Sequence, residues 1–289
     1  MTIWNLGSIN IDHVYRLDRL AQPGETVAAR SYAQGLGGKG ANQSIAAARA
    51  GARVVHIGAI GAGASWVIDS LAAAGVDTRH VARLESHATG HAIIMVDDAA
   101  ENAIVIHAGA NRALTPDAAA LAAMQAGDIL LIQNETNLQE QTAAAARAAG
   151  LRVIYSAAPF DIRAVRAMLP HASILAMNAG EAAQVFAALG EALPVEGLLI
   201  TRGAEGAEYR DLRTGRVDRC AAFPVHAVDT TGAGDCFAGW FAAGLDAGLA
   251  VPDTLRRASA AAAIQVTRPG AGDAMPTAAD TDAFLEEYR

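Results

Sequence analysis

Two cysteines in 289 residues, Cys220 and Cys236, show neither CxxC spacing nor a disulfide pattern. That excludes a disulfide-stapled scaffold and fits a reducing compartment. Charge is sparse as well, at 18% of residues against roughly 25% in an average soluble domain. Its balance is acidic, 22 Lys+Arg against 30 Asp+Glu for a net charge of −8, and no basic run occurs. Such a chain gains little from counterion release along a phosphate backbone, so neither nucleic acid nor an anionic membrane surface is an expected partner. No apolar run approaches the roughly 18 residues of a membrane span. The opening MTIWNLGSINIDHVYRL has no basic leader and carries Asp12 where a signal peptide is apolar. A soluble, cytoplasmic protein is expected. Internal repeats, low-complexity tracts and linkers are missing too. What abounds is apolar residues, 52% of the chain and much of that alanine, which excludes disorder and suits one large domain, with or without a small appendage.

Short apolar runs alternate with longer alanine-rich helical patterns. The runs 53–57, 128–132, 151–155 and 173–177 precede helical stretches at 65–74, 139–149, 162–168 and 181–189, and 197–201 opens the last third. This is the spacing of βαβ units and predicts an α/β fold with a mostly parallel sheet. Residues 11–34 and 88–108 break the rhythm. In the second stretch, 90–96 and 102–106 flank a polar turn at 97–101, a hairpin signal. The two stretches are expected to form a small β appendage, a candidate lid; the alternative is a pair of ordinary edge strands on the main sheet.

Two glycine-rich turns carry the chemistry. In Asp229-Thr230-Thr231-Gly232-Ala233-Gly234-Asp235 the glycines let a ligand approach the backbone, and the apolar helix that follows offers N–H groups without internal partners. Asp235 at its tip reads as a first-turn helix cap or as a functional acid, and Asp229, Thr230 and Thr231 beside it favour the second. The other turn, Gly35-Leu36-Gly37-Gly38-Lys39-Gly40-Ala41-Asn42-Gln43, opens a helix from 44. It is not a P-loop, because Gly40 stands where Ser or Thr must hold Mg²⁺. It suits a polar small molecule, or is a turn with a solvated lysine. A third segment, 58–63, fails the dinucleotide pattern because Trp66 takes the place of its last glycine. Asn178 and Glu181 read as a capping box, or as oxygens for a hydrated Mg²⁺. Glu135 follows a strand, where ligands of open α/β sheets gather. Cys236 reads as a small buried side chain, and no His-based metal site is expected.

These segments, together with Gly7-Ser8-Ile9-Asn10-Ile11-Asp12, Pro23-Gly24-Glu25-Thr26, Thr89-Gly90, Glu101-Asn102, His107-Ala108-Gly109-Ala110-Asn111, Thr201-Arg202-Gly203 and Val266-Thr267-Arg268-Pro269-Gly270-Ala271, run nearly end to end. In that order they resemble the ribokinase, or PfkB, family of carbohydrate kinases. The resemblance implies a three-layer α/β sandwich with a mostly parallel central sheet, 1–289 forming one kinase domain with a discontinuous β-sheet lid from about 11–34 and 88–108. It implies transfer of the γ-phosphoryl group of ATP to a sugar hydroxymethyl, ribose being the first guess. By that resemblance Asn10, Asp12, Gly38, Lys39, Asn42 and Glu135 hold the sugar, and Asp235 is the general base. The N–H groups of Gly232, Ala233 and Gly234 stabilise charge on the phosphoryl oxygens. Asn178, Thr201, Gly203, Gly234 and Ser259 line the nucleotide groove, with Asn178 and Glu181 orienting waters of Mg²⁺. Asp229, Thr231, Gln265 and Gly270 stand where a monovalent cation, usually potassium, binds mostly through backbone carbonyls. A homodimer through the lids is implied as well.

Three places depart from the family pattern: Gly61-Ala62-Gly63 in place of Gly-Asp-Asp, Ser156-Ala157-Ala158-Pro159 in place of Asn-Pro-Ala-Pro, and Ser259 where a larger polar residue is usual. Two further readings remain open here, a nucleoside kinase of the same family and a sugar-binding protein without catalysis; an intact Asp235 argues against the latter.

Overall fold

Four consecutive apolar residues at Ile129–Ile132 leave no polar face, the pattern of a strand covered on both sides. They form an inner strand of a nine-stranded sheet. The computed structural model describes residues 1–99 and 101–288, so position 100, inside the expected 97–101 turn, lies outside the described residues. In chain order the elements are β1 (Ile3–Leu6), β2 (Asn10–Arg16), β3 (Ser31–Gly37), α1 (Lys39–Arg49), β4 (Val54–Gly61), α2 (Ser65–Ala73), β5 (Val76–Leu84), β6 (Gly90–Val96), β7 (Asn102–His107), α3 (Ala118–Ala123), β8 (Ile129–Ile132), α4 (Gln139–Ala148), β9 (Arg152–Ser156), α5 (Ile162–Met168), β10 (Ile174–Asn178), α6 (Ala179–Leu189), β11 (Gly197–Thr201), β12 (Ala207–Asp211), β13 (Val217–Cys220), α7 (Ala233–Asp246), α8 (Val251–Val266) and α9 (Ala278–Glu287).

The main sheet runs β13-β12-β11-β10-β9-β8-β1-β4-β5, parallel except for β12 and β13 at one edge. Alternate residues of its strands enter two cores. Ile3, Leu131, Ile174 and Leu199 pack with Ile45, Leu71, Trp240, Phe241 and Leu255 of α1, α2, α7 and α8. Trp4, Leu130, Ile132 and Val153 pack with Ala143, Val165 and Val185 of α4, α5 and α6. Helices on both faces make three layers. Alanine serves this packing: a Cβ added at Gly239 of α7 would lie 2.6 Å from the Gln43 carbonyl oxygen and 2.7 Å from Ala46 Cβ, so α1 and α7 touch through small residues. Among the described residues no helix is long and apolar enough to cross a membrane.

The stretches that broke the βαβ rhythm form a separate four-stranded sheet, order β3-β2-β6-β7, and not edge strands of the main one. β2 pairs antiparallel with β3 and parallel with β6, and β7 closes the sheet as an antiparallel edge. Two boundaries differ from expectation. β4 continues through Gly61, so the glycines at 58 and 61 belong to a strand and make no ligand turn. α1 starts at Lys39, five residues before the expected 44, because Gly38 at φ 92° turns the chain into the helix. A side chain there would also press within 2.8 Å of the Asn10 nitrogen and the Ser8 oxygen.

Candidate active site

The C-terminal ends of β1, β8 and β10 deliver three groups of residues to one place, as parallel sheets do. Beyond β1, Asn10 is buried, and its Oδ1 accepts from Asn111 Nδ2 at 2.8 Å; Asn111 also grips the Ile9 backbone through both amide atoms. Asp12 on β2 occupies the space a side chain at Gly37 would fill, with its carboxylate 2.1 Å from the place of that Cβ. Burial, and secondly the charge of Glu135, push the Asp12 carboxyl up to about 6. Glu135, just past β8, accepts from the Ser8 hydroxyl and, at 3.2 Å, from the Lys39 N–H. The Lys39 side chain feels Asp235, Glu135 and Glu181 together, and against the cost of burial they keep its ammonium charged.

Asp235 enters from the other side, in the first turn of α7. It is buried, its Oδ2 accepting from Asn42 Nδ2 and its Oδ1 from Gln43 Nε2, both at 3.1 Å. Gln43 was not among the expected site residues. It starts a buried chain of amides: Gln133 Nε2 donates to Gln43 Oε1 at 2.8 Å and to Asn5 Oδ1 at 3.0 Å, and Asn5 Nδ2 donates to the Ser44 hydroxyl at 2.9 Å. Ser44 meets His56 Nδ1 at 2.8 Å, and burial pushes His56 down to about 4, leaving it neutral. The signal in the sequence was Asn42-Gln43-Ser44, three consecutive polar residues in an otherwise alanine-rich helix.

Two cavities meet at the 229–235 turn. One of about 340 Å³ is lined by Lys39, Asn178, Glu181, Thr201 and Gly232 to Asp235. The other, of about 550 Å³, is largely apolar, with Phe223, Pro224, Val225, Ala262 and Val266. Thr201, Gly203, Ala233 and Gly234 border both, and Ser259 faces the apolar one, its buried hydroxyl without a partner among the described residues. Ser156 and Ala158 from the departing Ser-Ala-Ala-Pro segment line the polar cavity. A Cβ at Gly234 would meet nothing within 4 Å, so the backbone there stands open. The Ala233 N–H turns back to the Thr230 carbonyl at 3.2 Å. Of the three N–H groups expected to face an anion, that one is therefore taken; Gly234 and Asp235 lie in the first helical turn, where N–H groups lack intrahelical acceptors.

Asn178 and Glu181 do form the capping box, each accepting from the other's backbone N–H at 2.8 Å. Both still line the polar cavity, and burial raises the Glu181 pKa. Asp229, Thr231, Gln265 and Gly270 are brought together, but behind the turn and bonded to one another. Cys236 is fully buried with its thiol pKa pushed up, which suits no nucleophile.

The pfkB family of carbohydrate kinases matches residues 2–278 of this chain. The chain belongs to that family. As a carbohydrate kinase of this family it is a phosphotransferase with an alcohol acceptor. It is 36% identical to the ribokinase of Haemophilus influenzae, over 99% of this chain and 98% of that one. Among solved structures, ribokinase from Cryptococcus neoformans var. grubii in complex with ADP is 32% identical, with a TM-score of 0.87 and 99% of each chain covered. Arabidopsis thaliana ribokinase complexed with ribose and ATP is 28% identical, with a TM-score of 0.90 and 98% of each covered.

Proposed function

We propose that this kinase phosphorylates ribose at its hydroxymethyl group with ATP, in one domain closed by the four-stranded sheet as a lid. The observation that carries the reading is the position of Asp235: its carboxylate is held by Asn42 and Gln43 and lines the polar cavity that opens onto the apolar one. The ribose and ATP of the Arabidopsis structure and the name of the Haemophilus relative support the choice of substrates. Asn10, Asp12, Gly38, Lys39, Asn42 and Glu135 take the sugar hydroxyls, carboxylates accepting and amides donating. Asp235 accepts the hydroxymethyl proton as its oxygen attacks the γ-phosphorus in line. Charge spreading over the phosphoryl oxygens meets the Gly232 and Gly234 N–H groups and the helix dipole, with Lys39 close by. The nucleotide follows the two cavities, phosphates beside Asn178, Thr201 and Gly203 and base toward Ser259 and the apolar walls. The described residues contain no group of three or more His, Cys, Asp or Glu side chains able to hold a metal ion. Asn178 and Glu181 fit a Mg²⁺ brought by the nucleotide, since each keeps oxygen lone pairs free to accept from its waters; bound there, Mg²⁺ neutralises phosphate charge. With both cysteines unbridged, we place the enzyme in the cytoplasm; the exposed apolar β7 edge supports a homodimer.

A coupled ADP-release assay over ribose, deoxyribose, fructose and nucleosides, with Mg²⁺, tests the reading. Turnover highest on ribose is the expected result. Turnover on a nucleoside and on no free sugar overturns it.

A further inference from the structure

Gln265 is fully buried near the end of α8, and its carboxamide reaches away from its own helix. Nε2 donates to the Thr231 carbonyl at 2.7 Å and to the Gly270 carbonyl at 3.1 Å. The same two residues are held a second time: Asp229 accepts the Thr231 N–H on Oδ1 and the Gly270 N–H on Oδ2, each at 2.9 Å. A carboxylate thus takes both N–H groups and a carboxamide serves both carbonyls. The amide cannot be turned over, because Oε1 would then face two carbonyl oxygens. In the observed orientation Oε1 has no hydrogen-bond partner among the described residues. Leaving a buried oxygen unpaired is costly, so keeping two donors between these carbonyls outweighs that cost.

These are the four residues on which the family resemblance puts a monovalent cation. An ion there needs the Thr231 and Gly270 carbonyl oxygens, and both already point at the amino group of Gln265, whose hydrogens carry partial positive charge and repel a cation. The residues do not fit the ion. We propose that the Gln265 carboxamide replaces the monovalent cation as the link between the 229–235 turn and the loop at Gly270, so that this kinase works without potassium. An ion holds such carbonyls only while its concentration keeps it bound. A side-chain amide carried on α8 holds them permanently, and keeps the turn that bears Gly234 and Asp235 in place at any salt composition.

The proposal rests on the kinase reading of the site, so its test has one arm independent of turnover. In that arm, thermal melting is compared in KCl and in choline chloride at equal ionic strength. Wild type is expected to melt at the same temperature in both. Gln265→Ala, which frees the two carbonyls, is expected to gain several degrees in KCl alone. In the turnover arm, wild-type phosphorylation of ribose is expected to be the same in either salt, while Gln265→Ala loses between about tenfold and 100-fold in choline chloride and recovers with KCl, as a displaced site would. Saturable activation of wild type by KCl, or a KCl-specific rise in its melting temperature, overturns the proposal. So does a folded Gln265→Ala indifferent to KCl; should that variant not fold, Gln265→Glu, which keeps the length and loses the donors, takes its place, and the wild-type arms decide regardless. Absence of turnover on any sugar sinks the kinase reading alone, because the melting arm still reports on the cation.

Discussion

Each oxygen of Asp235 accepts one amide hydrogen, from Gln43 or Asn42, and keeps a lone pair for a hydroxyl proton. Asp235→Asn removes the proposed base and little else. Asn42 Oδ1 is buried without a partner among the described residues, so the Asn42 amide can turn over to accept from the new side-chain amide and the fold should persist. Turnover is expected to fall about 10²- to 10⁴-fold, with ribose binding by calorimetry retained; full activity would show the base to be elsewhere. In the proposed function Asp12 acts on binding instead. Its carboxyl titrates near 6, raised by burial and by Glu135. Above that pH the free enzyme offers a carboxylate that accepts from two hydroxyls; below it, the acid is protonated and one acceptor is lost. The sign follows: kcat/KM for ribose falls as pH drops through about 6. Asp12→Asn is expected to raise KM about 10- to 100-fold at neutral pH, the worth of a hydrogen bond to a charged group, and to abolish the break in the pH profile. A break that persists in the variant assigns it to another group.

The first turn of α7 combines helix formation with an open backbone, and the two can be separated. Gly234 has no neighbour within 4 Å of the place of a Cβ, so Gly234→Ala should fold without a clash and gain up to ~1 kcal/mol in helix propensity. The added methyl enters the polar cavity and keeps a phosphoryl oxygen from the N–H groups. The expected outcome is a melting temperature unchanged or higher, with turnover lower by about 10²- to 10³-fold, the effect of one lost transition-state donor. Unchanged kinetics would place the phosphates elsewhere. At this scale the sequence was legible wherever one residue type had one structural use. The apolar runs of β8 to β11 and the glycine turns before α1 and α7 were such cases. It was illegible where polar residues are paid for by distant partners. Glu208 on β12 is buried because Arg202, Arg210 and Arg219 all reach its carboxylate, and a charged, alternating segment reads as surface without them. Gln43, Gln133 and Asn5 are ordinary singly; they become one network only when α1, β8 and β1 stand side by side. The resemblance grouped Gln265 with Thr231 and Gly270 for its carbonyl, whereas in the structure its side chain does the bonding.

Across the whole molecule, two sheets of opposite character divide the work. The main sheet is covered on both faces and carries Glu135 and Asn178 at or just past its strand ends; the small one is half-buried, with β7 mostly exposed, and carries Asp12. Direct pairing of Asp12 with Ala92, and of Ala92 with Ile106, puts Asp12, Ala92 and Ile106 on one face, with Val14, Ile94 and Ile104 beside them. Ala92, Ile94, Ile104 and Ile106 thus form one apolar surface on the face that carries Asp12. Its outer strand is unprotected: Ile104, Val105 and Ile106 are 52%, 59% and 62% exposed, and β7 is the sheet edge. An apolar edge strand of this kind invites pairing with another chain, and a closed two-fold arrangement pairs β7 with its own copy and leaves no unpaired β7 edge. Light scattering at micromolar concentration should therefore give twice the 29.6 kDa chain mass. Ile106→Asp changes an exposed side chain and should cost the folded monomer no more than about 0.5 kcal/mol. It buries a charge in the dimer, however, and is expected to return the mass to that of a single chain, with KM for ribose raised because the lid loses its support. A wild-type protein that scatters as a monomer, or an Ile106→Asp variant that stays dimeric, rules out this edge as the interface.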